Sequence, residues 1–585
     1  MILQALTKYY EILVENGKIA AAGWDPVRVS YAINIDSEGR FHGIQSLLVK
    51  GLKGKKEGMI PCVQNVPRHA TRSGKMPPPY FLCDNARYLL GAWSEIGKEE
   101  DNKKNKEKAN EYFQNAARYH KEILKDCDNP VAKGISLFFD TWNFETQREQ
   151  ITIPIEDIIS APNLVFRFWD TGEYVLQNEQ IRERWNEVYS DSSGEEIGQC
   201  LITGKNAPIA RLHPLIKGVR GAQSSGAALV SFNASAFESY EKQQGMNAPV
   251  SEYAANAYGG ALNYLLSEPK YNSMIGTDTV VYWSETGEDA YAEYFGDCLL
   301  DDNDDELKLV NTMKAISKGE VCYYQDCQMN PDTKFYILGL SPNAARLSVR
   351  FFYANTFGKI IRNVFAHYER LEIQKPVYEK REYPKVGNIL YETVNRNAKD
   401  KTASPILVGN LFRAIIHDTK YPATIFSSII IRIRSDHIIN RNRAAMIKAY
   451  LLKNRPETRE VVEDMELNET TRNVPYVLGR IFATLEYIQE AANPNLNTTI
   501  KDRYFNSVCA TPAVVLPQLL KLSNNHLKVL SRENKGMGIF LEKQLGSLME
   551  LLDTSFPVHL TLEEQGIFIL GYYHQTQKRY TKKEN

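Results

Sequence analysis

The sequence of 585 residues predicts a multidomain protein of mixed class, with an α+β, mixed α/β amino-terminal part and an all-α carboxy-terminal helical bundle. Three observations carry this. The chain is well beyond the roughly 250–300 residues at which one hydrophobic core stops growing. Up to about residue 345, short alternating segments interleave with helical ones; beyond it apolar residues recur at helical spacing, as in Phe352, Thr356, Ile360, Val364 and Tyr368. With 43% apolar, 11% aromatic and 24% charged residues, the chain can bury a sizeable core. The expected segments are 1–345 (mixed α/β), 346–464 (basic and helical) and 465–585 (helical bundle).

Residues 1–15 read as an amphipathic helix. The segments VSYAINID (29–36) and FHGIQSLLV (41–49) alternate around Ser37-Glu38-Gly39-Arg40 and predict a hairpin. The stretch after it, from residue 50 to 82, mixes Gly and Pro with Lys50, Lys53, Lys55, Lys56, Arg68, Arg72 and Lys75, and is expected to be a loop suited to backbone contacts. Residues 99–126 and 129–144 predict helices, and ITIPIEDIISAPNLVFRFWD (151–170) short strands and turns. A Gly- and Ser-rich segment (200–233) precedes a helix over 251–267 with Tyr253, Ala257, Ala261 and Tyr264 at helical spacing. The strands TVVYWS (279–284) and KFYILGLS (334–341) bracket an acidic insertion. Pro and Asn clusters at 454–456, 493–497 and 512 divide the helices that follow.

The net charge of −1 conceals a strong separation along the chain. Residues 341–455 hold 21 Lys or Arg against 8 Asp or Glu, whereas residues 284–320 hold 3 against 11. Residues 1–75 hold 11 basic against 6 acidic side chains, and 199–237 contains Lys205, Arg211, Lys217 and Arg220 with no carboxylate. Segregated Lys and Arg attract phosphate backbones through counterion release, so nucleic acid is the natural partner class, with Arg432, Arg434, Arg441, Arg443 and Lys448 as candidates for backbone contact.

Chemistry is sparse. Gly204-Lys205-Asn206 is not a phosphate-binding loop, because Asn206 stands where a hydroxyl is needed and no glycine lies at the right distance upstream. Gly218, Gly221 and Gly226 do not make a dinucleotide fingerprint. There is no HExxH and no GxSxG; Asp436-His437 is the nearest approach to a metal nuclease pair, in reversed order. The eight cysteines are scattered and fit reduced thiols, and Cys322 with Cys327 lacks a second ligand pair for zinc. No catalytic residue, metal or cofactor is expected. The start lacks a secretion-type apolar stretch, and the longest apolar runs, such as that around Ile429, fall short of the roughly 20 residues that cross a bilayer, so a cytoplasmic location off the membrane is expected.

The segments APIARLHPLIKGVRGAQSSGAALVSFNASAFESY and GMNAPVSEYAANAYGGALNYLL, with FLCDNARYLLG (81–91) before them and residues 473–527 after, resemble the large subunit of the type I-C CRISPR surveillance complex, Cascade. The resemblance implies a non-catalytic subunit of an antiviral ribonucleoprotein. It would dock at the crRNA 5′-handle end beside the backbone subunits and read the protospacer-adjacent motif (PAM), a thymine-rich one such as TTC, in double-stranded DNA. Strand opening into an R-loop and recruitment of a helicase-nuclease would follow. It further implies a carboxy-terminal domain similar to the small subunit, copies of which are made from an internal start; Met465 stands just ahead of that domain. The residues agree in kind. Gly221 and Gly226 carry no side chain to obstruct a groove, Gln223, Ser224 and Ser225 offer groups to base edges, and Lys217 and Arg220 would meet phosphates. Arg68, Arg72 and Lys75, beside Pro77, Pro78 and Pro79, would form a stiff basic finger. FLCDNARYLLG itself reads as core, with only Asn85 and Arg87 open to contacts. The alternative is a stand-alone metal-dependent nucleic-acid-processing enzyme, and a third possibility a protein scaffold without nucleic-acid contact.

Overall fold

The computed structural model of the chain describes residues 1–53, 56–69, 72, 76–95, 97–192, 196–299, 306–399, 401–553 and 555–580. They form two compact units, one of Met1–Ile216 with Ala228–Tyr264, the other of Lys217–Ala227 with Leu265–Asn585.

In the first unit the expected hairpin is present. Tyr31–Ile35 pairs antiparallel with Phe41–Ser46, and the Asp36 carboxylate accepts the N–H groups of Glu38 (3.0 Å) and Arg40 (2.9 Å) across the turn. Leu164–Phe168 runs parallel to Tyr31–Ile35, and Cys83–Asp84 completes a four-stranded sheet. Every residue of Tyr31–Ile35 is buried, as a central strand covered on both faces requires. Helices Glu99–Leu124 and Pro130–Thr141 contribute Phe113, Phe138 and Phe139 to one core with Phe166 of the sheet. Asn129 caps the second helix by accepting the Ala132 N–H at 2.8 Å.

The stretch after the hairpin corrects the sequence expectation. Residues 48–67 are not loop: Leu48–Lys53 pairs antiparallel with Lys56–Pro67, and Trp24–Val29 adds a third strand on the far side of Lys56–Pro67. The lysines and glycines mask an alternation in which Met59 and Val63 are exposed while Cys62 and Val66 pack on the core.

In the second unit four strands of an antiparallel sheet lie in the order Arg346–Thr356, Lys334–Asn343, Asp278–Ser284, Asn272–Ile275. Here too an expectation fails, since residues 346–356 form a strand. Positions four apart share a face in a strand as well as in a helix, so Phe352 and Thr356 fit both periods. Pairing with Lys334–Asn343 decides for the strand, and the helix Phe357–Leu371 starts only when the Thr356 hydroxyl accepts the Lys359 N–H (3.3 Å). The acidic insertion between the expected strands folds as helices Asp289–Leu299 and Glu306–Ser317 and a short hairpin, Cys322–Tyr324 with Cys327–Met329.

The rest of this unit is helical. Leu562–Lys578 is its axis, packed on one side against Val474–Ala492 and on another against Arg441–Asn454. The first contact is backbone to backbone: a Cβ on Gly479 would lie 2.0 Å from the Phe568 carbonyl, and one on Gly571 2.1 Å from that of Tyr476. Only glycine permits that approach. Among the described residues no helix is long and apolar enough to cross a membrane.

Candidate nucleic-acid interface

The Gly/Ser-rich segment folds as two successive turns on the second unit. Val219 is buried and anchors the first, where Ala222 N–H donates to the Val219 carbonyl (3.1 Å); in the second, Gly226 N–H donates to the Gln223 carbonyl (2.9 Å). The Arg220 N–H donates to Thr279 Oγ1 at 3.2 Å, tying the loop to strand Asp278–Ser284. Gly221 has φ +80°, and a Cβ there would lie 3.3 Å from Pro342. Its backbone thus combines a left-handed conformation with close packing on the neighbouring strand. With the main chain held from behind, Lys217, Arg220, Gln223, Ser224 and Ser225 are all exposed. Among the described residues no carboxylate pairs with Arg220.

A further cation missed in the sequence lies at this end of the sheet. Arg350, half-exposed, donates to Ser341 Oγ (3.3 Å) and stands 3.7 Å from the Asp278 carboxylate. Only its alternation along 346–356, misread as helical, could have disclosed it.

The amino-terminal candidates separate. Arg68 is 45% exposed, with one guanidinium nitrogen donating to Tyr189 Oη at 2.9 Å. Arg72 is held inside its own loop. It ion-pairs with buried Asp84, donates to the Pro78 carbonyl (2.9 Å), and lies over the rings of Tyr80 (3.7 Å) and Tyr88 (4.2 Å). It ties the proline stretch to the strand Cys83–Asp84, a structural task that sequence could not reveal. Lys75 lies outside the described residues.

The basic helical candidates separate more sharply. Arg432 is partly exposed and makes no ion pair among the described residues. Arg434 donates to Gln565 on the central helix. Arg441, Arg443 and Lys448 sit in a buried helix, which conflicts with the expectation that they meet phosphate. Arg441 donates to the carbonyls of Arg381 (2.7 Å) and Glu382. Arg443 is completely buried. It donates Nε to Glu392 (2.7 Å), two nitrogens to Asp436 (2.6 and 2.8 Å), and one also to the Ile438 carbonyl (2.8 Å). Burial alone would raise the Asp436 carboxyl, but the Arg443 hydrogen bonds outweigh it and hold the group below its ordinary value. Lys448 donates to the Glu372 carbonyl at 2.5 Å, and burial pushes its ammonium down to about 8. Asp436, the nearest approach to a catalytic carboxylate, is thus a counter-ion. Among the described residues no group of three His, Cys, Asp or Glu could hold a metal ion.

Met465 is exposed in the connection between helices Arg459–Val462 and Val474–Ala492, and its carbonyl accepts the Gln374 N–H (2.8 Å). Lys578 and Arg579 are ion-paired with Glu469 and Glu490, while Arg532 and Lys535 are exposed.

A comparison with curated proteins gives no match. Residues 6–580, nearly the whole chain, match the family described as CRISPR-associated protein (Cas_Csd1). The chain therefore belongs to the CRISPR-associated Cas_Csd1 family, that of the type I-C Cascade large subunit.

Proposed function

We propose that this chain reads the PAM of double-stranded DNA for a type I-C Cascade, promotes crRNA-guided strand opening, and helps to recruit the helicase-nuclease without catalysing a reaction itself. The observation that carries the reading is the 217–226 loop. Its main chain is pinned by Val219 and Thr279, its side chains Gln223, Ser224 and Ser225 are exposed with Lys217 beside them, and Arg220 makes no ion pair among the described residues. A rigid main chain with short polar side chains is what direct readout of a groove needs, and cations beside it fix register on the phosphates. Arg68, Arg350 and Arg432 are exposed enough to add sequence-independent contacts. In this reading the segment 1–345 docks at the 5′-handle end and reads the motif, 346–464 supports nucleic-acid backbone, and 465–585 corresponds to the small subunit, copies of which start at Met465. The partners are target DNA, crRNA, backbone and 5′-handle subunits, small-subunit copies and the helicase-nuclease, in the cytoplasm. Affinity purification of the tagged chain from cells that carry its neighbouring genes tests the assignment. Recovery of a crRNA with backbone subunits is expected, and recovery of the chain alone, with magnesium-dependent cleavage of nucleic acid, would refute it.

A further inference from the structure

The first unit carries a feature of a different kind, a strained spur over residues 238–247. Ser239 to Lys242 form a β-turn closed by the Lys242 N–H on the Ser239 carbonyl (3.0 Å), and both central residues, Tyr240 (φ +54°) and Glu241 (φ +60°), are left-handed. Such turns normally take Gly, Asn or Asp at these positions, because a β-carbon crowds the following carbonyl there. The twist of a β-hairpin is their usual reason, yet among the described residues no strand lies between Ala227–Ala228 and Asn272–Ile275. Specific bonds hold the strain. Asn247 Oδ1 accepts the Ser239 N–H (2.8 Å), its Nδ2 donates to the carbonyls of Lys242 (2.8 Å) and Gln244 (3.0 Å), and the Glu238 carboxylate accepts the Gln244 N–H (3.1 Å). The base of the spur is seated on residues 210–211, where the Gly245 N–H donates to the Arg211 carbonyl (3.0 Å) and a Cβ on Gly245 would lie 2.1 Å from the Ala210 carbonyl.

All of this order presents one side chain to solvent. Tyr240 is 94% exposed and makes no hydrogen bond or ring contact among the described residues, and Phe237, three positions earlier, is 46% exposed. Left-handed backbone at non-glycine residues persists only where the surroundings over-determine it, and it gathers at contact sites. The neighbouring charges choose the partner class. Residues 228–250 hold Glu238, Glu241 and Lys242, whereas 199–227 holds four cations and no carboxylate, so the sign of the charge reverses at the spur and a phosphate would meet the Glu241 carboxylate beside the ring. We propose that Tyr240 anchors a protein–protein interface, inserted into an apolar pocket whose rim sets a lysine or arginine against Glu241, on a protein other than this chain. Tyrosine suits that place because it buries a large area with few rotamers to fix and its hydroxyl can find a partner at the pocket's end. The inference rests on the assembly reading above only in requiring partner subunits, and makes no use of motif reading.

The test uses the full chain assembled in cells that carry its neighbouring genes. With Tyr240→p-benzoylphenylalanine, irradiation should join the chain to one other protein, at a peptide that holds apolar residues and at least one Lys or Arg. Tyr240→Asn should weaken binding of that protein by about thirtyfold, the scale of an interface anchor, in a titration with the purified partner. Its Tm should be the same or higher, since Asn accepts left-handed backbone more readily than Tyr. Glu241→Lys should weaken binding by about tenfold and Glu241→Gln by less, as a cation on the facing rim requires. A Tm lowered by Tyr240→Asn would show that the ring packs on its own chain, and crosslinks to nucleic acid or to a second copy of this chain would give the spur another occupant; each of these results overturns the proposal. Recovery of the subunits with no crosslink from position 240, or with retention unchanged in Tyr240→Asn and Glu241→Lys, sinks the spur alone. Recovery of the wild-type chain without any other subunit sinks the assembly reading with it.

Discussion

Arg443→Met distinguishes a structural cation from a nucleic-acid-binding one. The wild-type guanidinium is completely buried and joins Glu392, itself 5% exposed at its side chain, to Asp436, 25% exposed. Removing one member of a buried ion pair costs about 3–5 kcal/mol, because the remaining charges lose their partner. Two features place this case near the lower end, about 3 kcal/mol. Glu392 keeps hydrogen bonds from Asn440 (2.6 Å) and Arg396 (3.2 Å), and Asp436 retains the Ile438 N–H (3.0 Å) and partial exposure to water. Adding Glu392→Gln to the variant should restore part of the stability, since a buried charge left with only the half-exposed Arg396 as counter-ion disappears. The effect has a defined pH dependence. The folded-state pKa of Asp436 is depressed, so the stabilisation is present above the ordinary carboxylate range and lost as pH falls through the folded value. Urea denaturation of the full chain, followed by circular dichroism at pH 7 and in acid, measures both. In parallel, DNA affinity against the logarithm of salt concentration should keep its slope in Arg443→Met, whereas Arg432→Ala should flatten it by about one unit. An unchanged urea midpoint together with a flattened salt slope in Arg443→Met would refute the structural assignment.

Replacing Gln223 and Ser224 with Ala should reduce discrimination between correct and incorrect motifs by about 1–3 kcal/mol for each base edge that these side chains hydrogen-bond directly, with little change in salt dependence; a titration across motif duplexes reads this. The Lys448 ammonium, with its pKa lowered from 10.5 to about 8, carries a burial penalty below pH 8 that is relieved as pH rises toward 10.5. Stability of the wild type relative to Lys448→Met should therefore rise over that window, by at most about 3 kcal/mol, as denaturation midpoints at pH 7 and 10 would record; a constant difference would contradict the assignment. Expression of the unmodified gene with a carboxy-terminal tag should yield a second product matching residues 465–585 that disappears when Met465 is replaced by a non-initiating codon. That product would have to cover the face of Leu562–Lys578 that here meets Phe426 and Ile447 at Gly566 and donates from Tyr573 to the Gln374 carbonyl (2.7 Å), so it should self-associate or bind the large subunit on gel filtration.

What could be read from the sequence was local. The Ser37–Arg40 turn, the helices Glu99–Leu124 and Glu252–Ser267, and the strands at 278 and 334 declare themselves through alternation, helical spacing and turn residues within a few positions. The misses needed distant partners. Strand Lys56–Pro67 lies between its local partner Leu48–Lys53 and Trp24–Val29, which precedes it by some thirty residues, and its lysines and glycines gave a loop composition. Residues 346–356 satisfied two periods at once. The basic helix Arg441–Asn454 looked like surface because charge was taken to mean exposure, whereas Glu392, which pairs with Arg443 in the interior, lies 51 residues earlier in the chain. The loop at 217–226 was visible because its features are compositional: three glycines, short polar residues, and cations without acids.

Motif discrimination by the crRNA-loaded complex is the most direct test of the central claim. Duplexes that differ only in the nucleotides flanking the crRNA-complementary target should bind with affinities separated by more than tenfold, and Gln223→Ala with Ser224→Ala should compress that range. Equal affinity for all flanking sequences in the wild-type complex, or a range unaffected by the loop substitutions, would contradict it.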